Sequence, residues 1–120
     1  MRTYLPLLLL TLMGLTGCVA PTKYDWGSYE SSLYSYYKDP AKIAELSKSL
    51  ADTISTAEKS NKPVPPGVYA EYGFILHQQG KSSEALLFFE KEKSKWPESS
   101  TLMDSMIQMA SRSNKSVKPL

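Results

Sequence analysis

The 120-residue chain holds one thiol, Cys18, and one imidazole, His77. A lone thiol rules out a disulfide framework, and a metal site built from thiolates or several imidazoles is excluded by count. A histidine-based triad would have to be built around His77, yet no serine stands in a recognisable nucleophile motif. His77 reads instead as a polar residue late in a helix. Glu90 and Glu92 alternate with Lys91, Lys93 and Lys95, the pattern of a solvated helix face rather than an acid–base pair. No glycine-rich phosphate loop is present. The expectation is a protein that is not an enzyme, with no cofactor and no metal, in which only Cys18 is placed for covalent chemistry.

The chemistry of Cys18 follows from the residues before it. MRTYLPLLLLTLMGLTGC carries one positive residue, Arg2, and then an apolar run from Leu5 to Leu15 that ends in small residues. That is the form of an export signal rather than a spanning helix. A core helix would show a polar face, and this segment shows none. The string Leu15-Thr16-Gly17-Cys18 resembles the lipobox of bacterial lipoprotein signals. The resemblance implies cleavage before Cys18 and a diacylglyceryl thioether on its sulfur. Residues 1–17 are then the signal peptide, 18–25 a lipidated tether, and the mature chain has 103 residues. Val19 follows the cysteine where an aspartate would favour the inner membrane, which by resemblance points to the periplasmic face of the outer membrane. One acyl chain binds a bilayer reversibly, whereas three hold it stably. Without Arg2 the chain has 13 basic against 12 acidic side chains. So even a balance argues against nucleic acid as a partner.

The remainder reads as paired helices. Trp26, Tyr29, Leu33, Tyr36 and Tyr37 recur at steps of three and four and predict one helix face, with Ser28, Ser31, Ser32 and Ser35 opposite. Asp39-Pro40 predicts a helix start, after which Ile43, Ala44, Leu46, Leu50, Ile54 and Ala57 line one side. The segment Asn61–Gly67, with prolines at 63, 65 and 66, predicts a stiff extended connection. A last helix is expected from about Thr101 to Ser111, with Leu102, Met103, Met106, Met109 and Ala110 on one side. Residues 113–120 read as a disordered tail.

Tyr69, Tyr72, Gly73 and Leu76, then Ala85, Phe89 and Pro97, stand at the spacing of a tetratricopeptide repeat over roughly residues 66–99. By this resemblance Gly73 and Ala85 let two antiparallel helices approach closely, Phe89 fills the space between helix pairs, and Gly80 suits the turn. The departures are tyrosine at 69 and 72, leucine at 76, and Glu92 where a small residue is expected. Residues 26–59 form a degenerate counterpart. Giving Ala44 the small-residue role would put serines on the inner face of the first helix, which argues for a different register. The expected fold is all-α, of TPR-like helical hairpins with about five helices over residues 26–112.

The stretch YDWGSYESSLYSYYKDP (Tyr24–Pro40), shortly after a lipobox, resembles the opening of an uncharacterised family of small bacterial lipoproteins similar to tetratricopeptide-repeat proteins. Members tend to be encoded beside a lipoprotein resembling the curli secretion channel. The family brings no activity and no functional residue beyond Cys18.

Seven of the eight tyrosines lie between positions 24 and 72. Large rings supply core area in a small domain, and tyrosine and tryptophan are also enriched at recognition surfaces. Both readings stay open, as they do for the methionines at 103–109. If the rings serve recognition, repeat geometry places Trp26, Tyr29, Leu33, Tyr36 and Tyr37 on a groove shared with Phe74, His77 and Gln78. The functional expectation is an outer-membrane-anchored adaptor that holds an envelope protein, including another lipoprotein. The alternative is a structural subunit of an outer-membrane assembly with a channel-like lipoprotein.

Overall fold

A computed structural model describes residues 22–116. The leader, Cys18 and Val19 lie outside that range, as do residues 117–120. Among the described residues the fold is all-helical. Its five α-helices are α1 (Tyr29–Lys38), α2 (Ile43–Lys59), α3 (Val68–Gln78), α4 (Ser82–Lys95) and α5 (Ser100–Ser116), with 3-10 turns at Pro40–Lys42 and Pro97–Ser99. Helices α1 and α2 form one antiparallel hairpin and α3 and α4 a second; α3 lies against α2, and α5 covers α4 and touches α3.

Local chemistry sets the boundaries. Asp39 Oδ1 accepts from Ala41 N–H at 3.1 Å, which opens the second helical run just ahead of α2. The proline-rich connection breaks the chain between Lys59 and Val68. It is packed as well as stiff, since Val64 and Pro65 are buried. Gly80, at φ 79°, closes α3 while Lys81 N–H returns to Leu76 O at 2.9 Å. Pro97 ends α4.

Two apolar clusters fill the interior. Leu46, Leu50, Ile54, Ala57, Val64, Val68, Tyr69 and Ile75 join the first hairpin to α3, with Tyr29, Leu33 and Tyr36 packed against them. Leu76, Ala85, Phe89, Met103 and Ala110 join the second hairpin to α5. At the crossing of α3 and α4 a Cβ on Gly73 would lie 2.7 Å from the Phe89 ring and 3.1 Å from the Ala85 carbonyl. Only glycine permits that approach, as the spacing predicted.

Five expectations are corrected. Trp26 precedes α1 instead of belonging to it, and Tyr37 is 82% exposed and off the packed face. Ser32 and Ser49 are buried while Ala44 is exposed. The serines do lie inside: two helices crossing closely need small side chains, and Ser28 Oγ meets Ser49 Oγ at 2.9 Å, so the hydroxyls satisfy one another. On α5 the packed side runs through Met103, Met106, Ile107 and Ala110, leaving Leu102 and Met109 outward. Helix α5 also continues past Ser111 to Ser116, where Ser113 and Ser116 hydroxyls bond back to the carbonyls of Met109 and Arg112.

Candidate functional site

Each helix seam carries a polar tie. Thr53 Oγ1 donates to Trp26 O at 3.3 Å across the first hairpin. Tyr29 of α1 donates to Glu71 Oε2 of α3 at 2.5 Å. Burial first, and then the Glu71 carboxylate, push the Tyr29 hydroxyl above the ordinary phenol range, so it stays a donor. Tyr29, Leu33 and Tyr36 spend much of their surface on the core. Of their sequence-predicted companions Trp26, Tyr37, Phe74 and Gln78 are exposed, and half-buried His77 closes the α3–α4 turn, Nδ1 3.0 Å from Ser82 Oγ. The Tyr29–Glu71 bond brings the start of α1 to the start of α3. Trp26 joins it by stacking on Tyr29, centroids 5.6 Å apart.

Three of the clefts described cluster along α2 and α4, a fourth of about 130 Å³ lies between residues 25–28 and α2, and none of them is lined by both α1 and α3. One, of about 250 Å³, is lined by Ala51, Ile54, Ser55 and Glu58 of α2, Tyr72 of α3, and Phe88 and Lys91 of α4. A neighbour of about 380 Å³ runs along Leu87, Lys91, Ser94 and Lys95. A third, of about 540 Å³, continues to Asn61, Lys62, Pro63, Lys95 and Trp96. Glu58 borders all three. It accepts from Lys91 Nζ at 2.9 Å and Tyr69 hydroxyl at 2.8 Å. The Lys91 bond and then the Tyr69 bond hold its carboxyl below the usual range. Lys91 also lies over the Tyr69 and Phe88 rings, 5.4 and 5.5 Å from their centroids. The result is a trough with an aromatic floor, rimmed by Lys59, Lys91 and Lys95 with Glu90 among them and crossed by the Glu58–Lys91 ion pair. Tyr72 meets Phe88 edge-on at 4.6 Å to form part of that floor.

Residues 23–106 match the family described as Domain of unknown function (DUF4810). The chain belongs to that family. Comparison with curated proteins and with solved structures gives no match. The DUF4810 match takes in both hairpins and the first turns of α5, so trough and α1/α3 face alike fall within it.

A further residue of this DUF4810 domain was misread from sequence. Glu92 is 1% exposed rather than solvated, and its Oε1 accepts the Gly67 N–H at 2.8 Å. A carboxylate from α4 thus covers the positive N-terminal end of α3. Burial pushes its carboxyl above the usual range, against the lowering effect of the Gly67 bond. The signal was available: Ala85, Phe89 and Glu92 follow at steps of four and three, on the inward face of α4. The lysine-rich neighbours masked it. Among the described residues no three His, Cys, Asp or Glu side chains are grouped to hold a metal ion, and no helix is long and apolar enough to cross a membrane.

Proposed function

We propose that this protein is a lipid-anchored adaptor of the bacterial cell envelope, held at the outer membrane through Cys18, whose α2/α4 trough receives an extended segment of a partner protein. The trough carries the reading. Its floor of Ile54, Tyr72 and Phe88 offers apolar and aromatic contact, and Lys59 and Lys91 along its rim suit acidic side chains. The close approach at Gly73 and the fill by Phe89 support reading the second hairpin as TPR-like, and repeat folds of that kind commonly present binding surfaces between helices. The leader and the Leu15–Cys18 string support the anchor.

Site-specific photocrosslinking tests the adaptor. A crosslinker at Ser55 or Leu87 is expected to trap a discrete envelope protein in cells, and one at Tyr37 or Phe74 to trap none. Capture from Tyr37 and Phe74 alone would move the site to the α1/α3 face. Failure at all four positions would sink the adaptor. The anchor has its own check: Cys18→Ser should accumulate as unprocessed precursor, and normal processing of that variant would refute lipidation. Leu102 and Met109, seven residues apart on the outward side of α5 and both exposed, favour the second reading, a subunit whose open end stacks on another protein.

A further inference from the structure

The helices alternate in direction, so one end of the molecule gathers the start of α1, the α2–α3 connection, the start of α3 and the end of α4. Both tryptophans of the chain, Trp26 and Trp96, are at this end. Tyr24 bridges them, its ring centroid 6.2 Å from Trp26 and 6.4 Å from Trp96. Lys23 Nζ lies 5.3 Å from the Tyr24 ring centre, and Lys62 and Lys95 line the cleft that Trp96 closes. The chain enters the described structure here, at Thr22, four residues after Cys18.

We infer that this end is a membrane seat: Trp26, Tyr24 and Trp96 lie in the headgroup layer of the bilayer that carries the anchor, with Lys23, Lys62 and Lys95 on lipid phosphates. The inference rests on the anchor reading of Cys18. Indole and phenol rings favour the interface because one part is apolar and the other takes hydrogen bonds. Exposed Trp26 and half-buried Tyr24 offer both, whereas Trp96, half-buried with its Nε1 enclosed, offers an apolar ring edge. Lysines beside them add attraction to anionic lipid. Charge alone does not choose the end, since Lys38, Lys42 and Lys81 crowd the opposite one. The two indoles and the entry point of the chain do. A tether from residue 18 to residue 22 spans at most about 3.5 Å per residue, too short to lift this end far from the surface. Seated so, the helices stand away from the membrane and the trough beside Ser55 and Leu87 faces the envelope space.

Trp96 is the reporter, because it is remote from the anchor in sequence. The lipidated full-length Trp26→Phe variant, with Trp96 as its only indole, is reconstituted into phosphatidylethanolamine–phosphatidylglycerol vesicles with lipids brominated near the headgroup. The control, Trp26→Phe/Trp96→Phe/Tyr37→Trp, carries its indole at the far end. The expected result is several-fold stronger quenching of Trp96 than of the control, reduced in Lys62→Glu/Lys95→Glu. If the control fails to fold by circular dichroism, a bimane label on Gln79→Cys, at the exposed α3–α4 turn, replaces it. A chain that floats with the vesicles yet shows unquenched Trp96, or equal quenching at both ends, overturns the seat and leaves the anchor standing. A chain that does not float overturns the anchor, and the seat with it.

Discussion

In the second hairpin a Cβ on Gly73 would come within 2.7 Å of the Phe89 ring, whereas in the first hairpin Ser28 and Ser49 hydroxyls meet at 2.9 Å over buried Ser32. Both crossings need small side chains. The second fills the space beside its glycine with one large ring, and the first fills it with hydroxyls that bond to each other. The first hairpin therefore depends on its neighbour: Leu46, Leu50 and Ile54 are buried in a cluster that includes Val68, Tyr69 and Ile75 of α3. Close packing around a glycine gives a hairpin with a large ring at its own crossing, shared with Met103 and Ala110 of α5, while a hydroxyl seam gives one that must borrow a core from α3.

The largest test of this contrast is Phe89→Ala. Phe89 is fully buried among Leu76, Ala85 and Met103, so the expected loss is about 3–5 kcal/mol by urea denaturation. A loss below about 1 kcal/mol would mean that the second hairpin is not organised around this ring. Gly73→Ala comes next. The added methyl meets a ring that must move and a backbone carbonyl that cannot easily do so, for about 1–3 kcal/mol. Ser32→Ala at the corresponding crossing should cost less than Gly73→Ala. Equal costs would erase the distinction between the two seams.

Sequence made the second hairpin readable and the first only partly so. Gly73, Ala85 and Phe89 are unambiguous because a glycine and an alanine amid large apolar residues have few other uses in helices. Ser32 and Ser49 lack that signal: serine is commonest at surfaces, and only the partner across the seam turns it into an interior residue. Ala44 misled for the opposite reason, since a small apolar residue is equally at home outside. The α2/α4 trough was not legible, because it depends on how two hairpins sit against each other rather than on the period of either helix. Tyr29 and Tyr36 proved intermediate, half-buried where core and surface readings had been alternatives.

Glu92 ties α4 to the start of α3 within the second hairpin and separates two effects of about the same size. Glu92→Ala leaves the Gly67 N–H without its acceptor and is expected to cost about 1–3 kcal/mol, although a small residue is what repeat spacing expects there. Glu92→Gln keeps an acceptor oxygen and removes the buried charge. The folded-state pKa of Glu92 lies above its unfolded value, so ionisation works against the fold. That penalty is present at neutral pH and fades as pH falls through the raised pKa towards the ordinary carboxylate range. Glu92→Gln should therefore be more stable than wild type at pH 7 and converge with it at acid pH. Destabilisation by Glu92→Gln that is constant with pH would show that the carboxylate is not penalised by burial.

The smallest effect decides whether the serine seam is a bonded pair or merely a pair of small residues. Removing one hydroxyl leaves the other without its partner, while removing both leaves two methyl groups facing one another. Ser49→Ala should thus cost about 0.5–1.5 kcal/mol, because Ser49 is buried and its bond to Ser28 is half-buried. Ser28→Ala should cost more, because it strands the buried Ser49 hydroxyl, whereas in Ser49→Ala the exposed Ser28 hydroxyl turns to water. The double variant Ser28→Ala/Ser49→Ala should cost less than the two single losses added together, with a positive coupling in a double-mutant cycle of denaturation free energies. Strict additivity would mean that the hydroxyls do not act as a pair. The seam would then be explained by size alone, and the first hairpin would differ from the second only in lacking a phenylalanine.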